Sequence, residues 1–289
     1  MIDIVETTTD RSEIEVAWVR GKSELITCKN IQPLKILHPD SHNSTCHLVL
    51  SNYGGGMVAA DLINIRVKCG TNTRTFISSQ SNTRIYKKIS NTLTEQNVEG
   101  EIAEDALVVV FPDPVVLQAE SRFSQSQHWE VGRGGLLFLV DWFQAGRTDS
   151  GEKYQFDTYL SEIKVSVEGK LLVLDRFSFS PQENIADSPA NFGQYQSMLS
   201  IYLAGFPDDL RFNKIADKLQ EIRSANMPAL NYDIDNNDYV ISVTRAREGV
   251  YILRAMGKSR MDLQSLCEDL MNMFSETVLL GYNPMKRKF

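Results

Sequence analysis

The chain has few cysteines, four in its 289 residues, and none of them forms a CxxC pair. Cys28, Cys46, Cys69 and Cys267 are scattered, which suits reduced thiols better than a disulfide framework. Long apolar runs are also missing. The longest clean one, within GGLLFLV, stops at Asp141, far short of the roughly 20 residues that cross a bilayer as a helix. The opening MIDIVETTTD lacks the basic-then-apolar order of a secretory leader, so the sequence reads as cytoplasmic, with no membrane partner. Basic excess is absent too. A net charge of −7 does not suit a protein that must neutralise many phosphates, which removes nucleic acid as a main partner.

The motifs of common enzyme classes are lacking. Gly257-Lys258-Ser259 resembles the tail of a phosphate-binding loop, but Ile252 stands where that loop needs its first glycine. Neither Gly54-Gly55-Gly56 nor the Gly132–Gly135 stretch completes GxGxxG, and no GxSxG elbow exists. Of the four histidines, His128 stands alone. The others, His38, His42 and His47, gather around Cys46, and these ligand types suit nickel or zinc. Their spacing matches no standard finger. In a strand Cys46 and His47 point to opposite faces, so the arrangement favours a core thiol beside a hydrogen-bonded imidazole over a shared metal.

What is present is period-two alternation. In DLINIRVKCG, Ile63, Ile65, Val67 and Cys69 alternate with polar residues, as on a half-buried strand. Similar segments recur to about residue 178, and their close spacing favours a sandwich, barrel or stacked-sheet solenoid over α/β units. Helical spacing follows in LRFNKIADKLQEIRS, at Ile215, Leu219 and Ile222, and in MDLQSLCEDLMNMFSETVLL, at Leu263, Leu266, Leu270 and Phe274. Between them, DYVISVTRAREGVYILRAMG reads as a hairpin turning at Glu248-Gly249. The expectation is a mainly β protein with stacked or helix-like sheets and two C-terminal α-helices. It is read as one domain over 1–289, β-rich over 1–205 and helix-hairpin-helix over 206–289. Met271, Met273 and Phe274 suit either core packing or a partner groove.

Two aspartates stand out. Asp141 follows the apolar run Leu136–Val140, and Asp175 follows Leu171–Leu174, so each carboxylate comes directly after a segment expected to be buried on both faces. An unpaired buried charge is costly, and Arg147 and Arg176 are the nearest candidates in sequence to pair with them. An acid/base pair of Asp141 and Glu152, giving a β-rich hydrolase, is a competing reading, as is a β-solenoid adaptor for unrelated proteins.

Four ordered segments resemble one family. CHLVLSNYGGGMVAADLINIRV carries the Cys-His strand, the glycine turn and Asp61, with Ala59-Ala60 where the family usually has glycines. TFISSQSNTRIYK supplies Ser78, Ser79, Gln80, Thr83, Arg84 and Tyr86. FPDPVVLQAESRFSQSQHWEV supplies Pro112-Asp113-Pro114 and Ser121-Arg122-Phe123. The segment from Gly134 to Val165, followed by LLVLDRF, carries Asp141-Trp142, Gly146-Arg147, Gly151-Glu152 and Leu174-Asp175-Arg176. Together they are similar to the UreD (UreH) family of urease accessory proteins. The resemblance implies a non-enzymatic scaffold that binds apo-urease and the accessory proteins UreF and UreG. It implies nickel in transit rather than a tightly bound cofactor. Asp61, Ser78, Ser79, Gln80, Asp141, Arg147, Asp175 and Arg176 would line or support the passage.

Overall fold

The computed structural model describes residues 10–39, 43–226 and 237–284. Strands β1 (Ser12–Val19) and β2 (Lys22–Lys29) form a hairpin, and β3 (Leu34–Leu37) lies antiparallel to β4 (Cys46–Asn52). From β4 onward the chain winds as a coil. The first turn runs through β4, β5 (Gly56–Met57) and β6 (Leu62–Cys69), and the second through β7 (Arg74–Ser79), β8 (Thr83–Ile85) and β9 (Thr94–Ile102). The third uses β10 (Leu107–Phe111), β11 (Val115–Leu117) and β12 (Arg122–Val131). The fourth uses β13 (Leu136–Gln144) and β14 (Thr158–Val167). Each turn stacks in parallel on the one before, so Cys46 faces Thr75, Arg74 faces Leu107, and Leu107 faces Leu136.

Two sheets result, one beginning at β2, β1 and β6 and the other at β3, β4 and β7, with the short strands β5, β8 and β11 paired along a corner. The first sheet ends in β15 (Lys170–Phe179), antiparallel to β14. The second is extended by β16 (Ser197–Ala204), β18 (Val250–Gly257) and β17 (Tyr239–Arg247), all antiparallel. A short helical turn, α1 (Pro181–Asn184), lies between β15 and β16. The mainly β, stacked-sheet expectation is what the chain adopts.

The two sheets differ in patterning because they differ in what covers them. The first keeps a wet outer face, where Arg66 and Glu101 pair at 2.6 Å, and its strands alternate. The second is covered on both faces, so β10 and the first five residues of β13 are continuously buried. Val108, Val110, Leu137 and Leu139 enter the core between the sheets, while Leu107, Val109, Phe111, Leu136, Phe138 and Val140 meet the helical layer. That layer is α2 (Leu210–Ala225) and α3 (Gln264–Met273). Asp209 caps α2 by accepting from the Arg211 amide at 2.8 Å, and Phe212, Ile215, Leu219 and Ile222 form the buried stripe.

The last helix is shorter than its apolar spacing predicts, ending at Met273 and continuing as turns. Its stripe is still buried, and Phe274 packs edge-on to Phe138 at 5.0 Å. Met271, Met273 and Phe274 therefore belong to the core. Between the helices, β17 and β18 turn at Glu248-Gly249, with Gly249 at φ +74°. One glycine is dictated by close approach: a Cβ on Gly100 in β9 would lie 2.0 Å from the Trp129 ring of β12.

Candidate functional site

Between β13, β16 and β18 on one side and β14 and β15 on the other lies a cavity of about 350 Å³. Strand period builds it. In β13, Leu137, Leu139, Asp141 and Phe143 alternate inward, which makes Asp141 the first polar side chain after the apolar run. The same alternation brings Ser161 from β14, Asp175 from β15, Ser200 and Tyr202 from β16, and Arg254 from β18 to the lining. Oxygen atoms converge in an interior that is elsewhere mostly apolar.

The two aspartates have different partners. Gln125 Nε2, from β12, donates to Asp141 Oδ1 at 2.6 Å, and Ser161 Oγ donates to Asp141 Oδ2 at 3.0 Å. Both donors are neutral and buried. Asp175 Oδ2 accepts from Tyr202 Oη at 2.7 Å and forms a close ion pair with Arg254. Burial pushes the Asp141 carboxyl up, the hydrogen bonds from Gln125 and Ser161 oppose this, and the nearby charge of Asp175 adds to it. Burial, followed by the charge of Asp141, keeps the phenols of Tyr159 and Tyr202 protonated. The site thus offers carboxylate, hydroxyl and phenol oxygens but no thiol, the donor set that hard divalent cations take.

The arginines named from the sequence pair elsewhere. Arg176 borders the same cavity beside Asp175 along β15, but adjacent strand residues point to opposite faces, so it does not pair with Asp175. Arg176 lies opposite Glu162 in register and pairs with it at 2.5 Å. Arg147 lies beyond the end of β13 and binds Glu152 Oε2 at 2.9 and 2.5 Å, while Glu152 Oε1 accepts from the Ala119 amide at 2.9 Å. That contact holds Glu152 in the connection after β13, and Glu152 does not line the cavity that contains Asp141. The carboxylate pair invoked for a hydrolase is not assembled there.

The remaining named residues lie apart from this cavity. Asp61 closes the turn before β6, accepting from the Val58 amide at 2.8 Å. Ser78 faces His47, with 3.3 Å between its Oγ and the imidazole Nε2. Ser79 Oγ donates to buried Asp113 at 3.0 Å and accepts from its amide at 2.7 Å. Gln80 accepts from Ser51 at 2.6 Å and shares with Ser79 the lining of a separate cavity of about 310 Å³. Cys46 points into the core, its thiol pushed up to about 12 by burial and 3.6 Å from His38 Nε2, whereas His47 packs on Phe76 across the sheet. His42 lies outside the described residues. Among the described residues, no three His, Cys, Asp or Glu side chains are placed to hold one metal.

Sequence reasoning missed Gln125, Ser161, Ser200, Tyr202 and Arg254. Gln125, Ser161, Ser200 and Tyr202 each carried a signal, being a polar residue at a buried strand position, whereas Arg254 is exposed and carried none; only the pairing of distant strands brings them together.

A profile of the family described as "UreD urease accessory protein" matches residues 9–288. The chain is 34% identical to the urease accessory protein UreD of Cytophaga hutchinsonii, over 96% of this chain and 98% of that one. It is 31% identical to urease accessory protein D of Oryza sativa subsp. indica, over 72% of this chain and 68% of the other. The same identity and share of this chain hold against urease accessory protein D of Arabidopsis thaliana, covering 71% of that chain. The chain belongs to the UreD family of urease accessory proteins.

Proposed function

We propose that this chain is a urease maturation factor working as a non-enzymatic scaffold. It binds apo-urease together with the accessory proteins UreF and UreG, and nickel on its way to the urease active site passes its interior. The observation carrying this reading is the pair Asp141 and Asp175 in one cavity inside a largely apolar coil. Nickel is cargo here, with no resident cofactor needed.

The chemistry of the lining supports transit. A cation leaving water must regain ligands at each step, and a low-polarity coil offers none. Carboxylate and hydroxyl oxygens suit Mg, Ca and Mn better than the imidazole and thiolate that capture nickel, so they hold nickel without trapping it. A passage must bind strongly enough to admit the ion and weakly enough to release it. Ser79, Gln80 and the turn of Asp61 belong to other parts of the coil, so their part in this reading is to shape the scaffold.

The test is activation of apo-urease in cells expressing the other accessory proteins, with and without this chain. Low urease activity and low nickel content without it, restored by its return together with copurification of UreF and UreG, is the expected result. Full activation in its absence overturns the reading.

A further inference from the structure

We propose that Arg254 is a built-in counter-cation of the cavity, occupying Asp175 until an incoming divalent ion displaces it. The proposal rests on the reading of the cavity as a cation passage and adds how that passage stays closed to cations when idle.

Three observations lead to it. First, the two aspartates of the cavity are treated unequally: Asp141 is held by the neutral donors Gln125 and Ser161, whereas Asp175 alone receives a full positive charge. Second, the guanidinium is placed to leave. Both partners line the cavity, but the Arg254 side chain is 49% exposed against 23% for Asp175, so the guanidinium sits at the solvent edge and the carboxylate deeper. An ion pair open to water contributes little net stability, so opening it is inexpensive. Third, Asp175 does not depend on Arg254 to stay in position, because Tyr202 Oη holds the same carboxylate oxygen at 2.7 Å. Releasing the arginine leaves an oriented carboxylate near Asp141.

Arg254 comes from β18, and its Cα faces Ser200 of β16 in register. The backbone is therefore fixed, and the exchange needs only side-chain rotation about a flexible stem. With Arg254 in place the cavity carries one uncompensated carboxylate, Asp141, and a divalent ion must compete with a guanidinium for the second. With Arg254 swung out both carboxylates are available. Arg254 thus sets the affinity of the site, keeping it low enough for transfer and discouraging a stray cation from lodging there.

The experiment is calorimetric titration of the full-length chain with NiCl2 at low ionic strength, comparing wild type with Arg254→Gln, Arg254→Met, Arg254→Lys and Arg254→Gln/Asp141→Asn. Thermal melts verify that each is folded, and the two neutral replacements guard against misfolding of either one. Removing a unit positive charge a few ångströms from the ion should tighten nickel binding by roughly tenfold. Arg254→Lys, which keeps the charge, stays near wild type, and the added Asp141→Asn abolishes the gain. If the neutral variants bind nickel no more tightly than wild type while binding still depends on Asp141, the counter-cation role is overturned and the passage reading stands. If no variant shows binding that depends on Asp141, both fall.

Discussion

Replacing Asp141 by Asn separates the electrostatic cost of this residue from its geometric role. The two side chains are nearly isosteric. In the wild type Gln125 Nε2 donates to one oxygen at 2.6 Å and Ser161 Oγ to the other at 3.0 Å. In the variant the amide oxygen keeps the first bond, and the amide nitrogen donates to Ser161 Oγ, whose hydroxyl can turn to accept. The contacts of the side chain with Gln125 and Ser161 are both kept, so at acid pH, where the wild-type carboxyl is protonated, the two proteins should agree within about 1 kcal/mol. At neutral pH they diverge. Burial raises the folded carboxyl above its unfolded value, so between those values the folded state binds more protons than the unfolded state. The stabilisation is complete below the unfolded pKa and is lost as pH rises through the folded one. Asn carries no charge, and this slope disappears. The cost of an enclosed carboxylate with only neutral partners is on the order of 1 kcal/mol or more, so Asp141→Asn should melt about 1–3 °C higher than wild type at pH 7.5. The gap should close on acidification. Urea denaturation or thermal melting of both proteins from pH 4 to 8 measures this. A variant less stable than wild type at neutral pH, or two parallel pH profiles, refutes the burial argument.

Other outcomes follow from the same structure. Gly100→Ala places a methyl against the Trp129 ring in a packed interior, and should cost about 1–3 kcal/mol or prevent folding; chemical denaturation measures it, and a neutral result would mean that the coil relaxes freely there. Asp61→Ala removes the hydrogen bond to the Val58 amide and should cost about 1 kcal/mol in stability while leaving nickel titration unchanged, since Asp61 lies outside the cavity. Nickel binding to the isolated chain should weaken as pH falls, because the ion competes with protons for Asp141, whose affinity for a proton burial raises; calorimetry in buffers of different ionisation enthalpy at several pH values reports the linked proton release. Pure enthalpic independence of buffer would contradict it.

The legible parts of the fold were those where one covering layer imposes one period. The run at Leu136–Val140 announced burial on both faces, and Ile215, Leu219 and Ile222 announced an amphipathic helix. Strand β12 was harder to read because Gln125 and Gln127 occupy two of its inward positions, which blurs alternation with the exposed side. In β9 the inward position at Gly100 is a glycine because Trp129 fills its space, so the strand loses an apolar mark. Strands β5, β8 and β11 are too short to show any period. The coil itself has no repeat in residue identity: Cys46 stacks on Thr75, and Arg74 stacks on Leu107.

At the site, Asp141 was visible because a charge ending a run buried on both faces is unusual. The same expectation fails for Asp175, since Leu171 and Leu174 point to the wet outer face of the first sheet and are 45% and 48% exposed. The partners of the two aspartates were not visible. Arg147 and Arg176 are nearest in sequence, but strand alternation turns Arg176 to the outer face, and Arg147 lies past the strand end. Asp175 instead meets Arg254, 79 residues away, through the antiparallel extension of the second sheet. A buried charge finds its partner across strands, and strand order is a property of the whole chain.

The most direct test of the account is urease activation with Asp141→Asn and Asp175→Asn in cells that express apo-urease and the remaining accessory proteins. Urease activity and nickel per active site should fall well below wild type, while the accessory complex with the variant still copurifies with urease. Wild-type nickel content in both variants, with the complex intact, would contradict passage of the ion by these carboxylates.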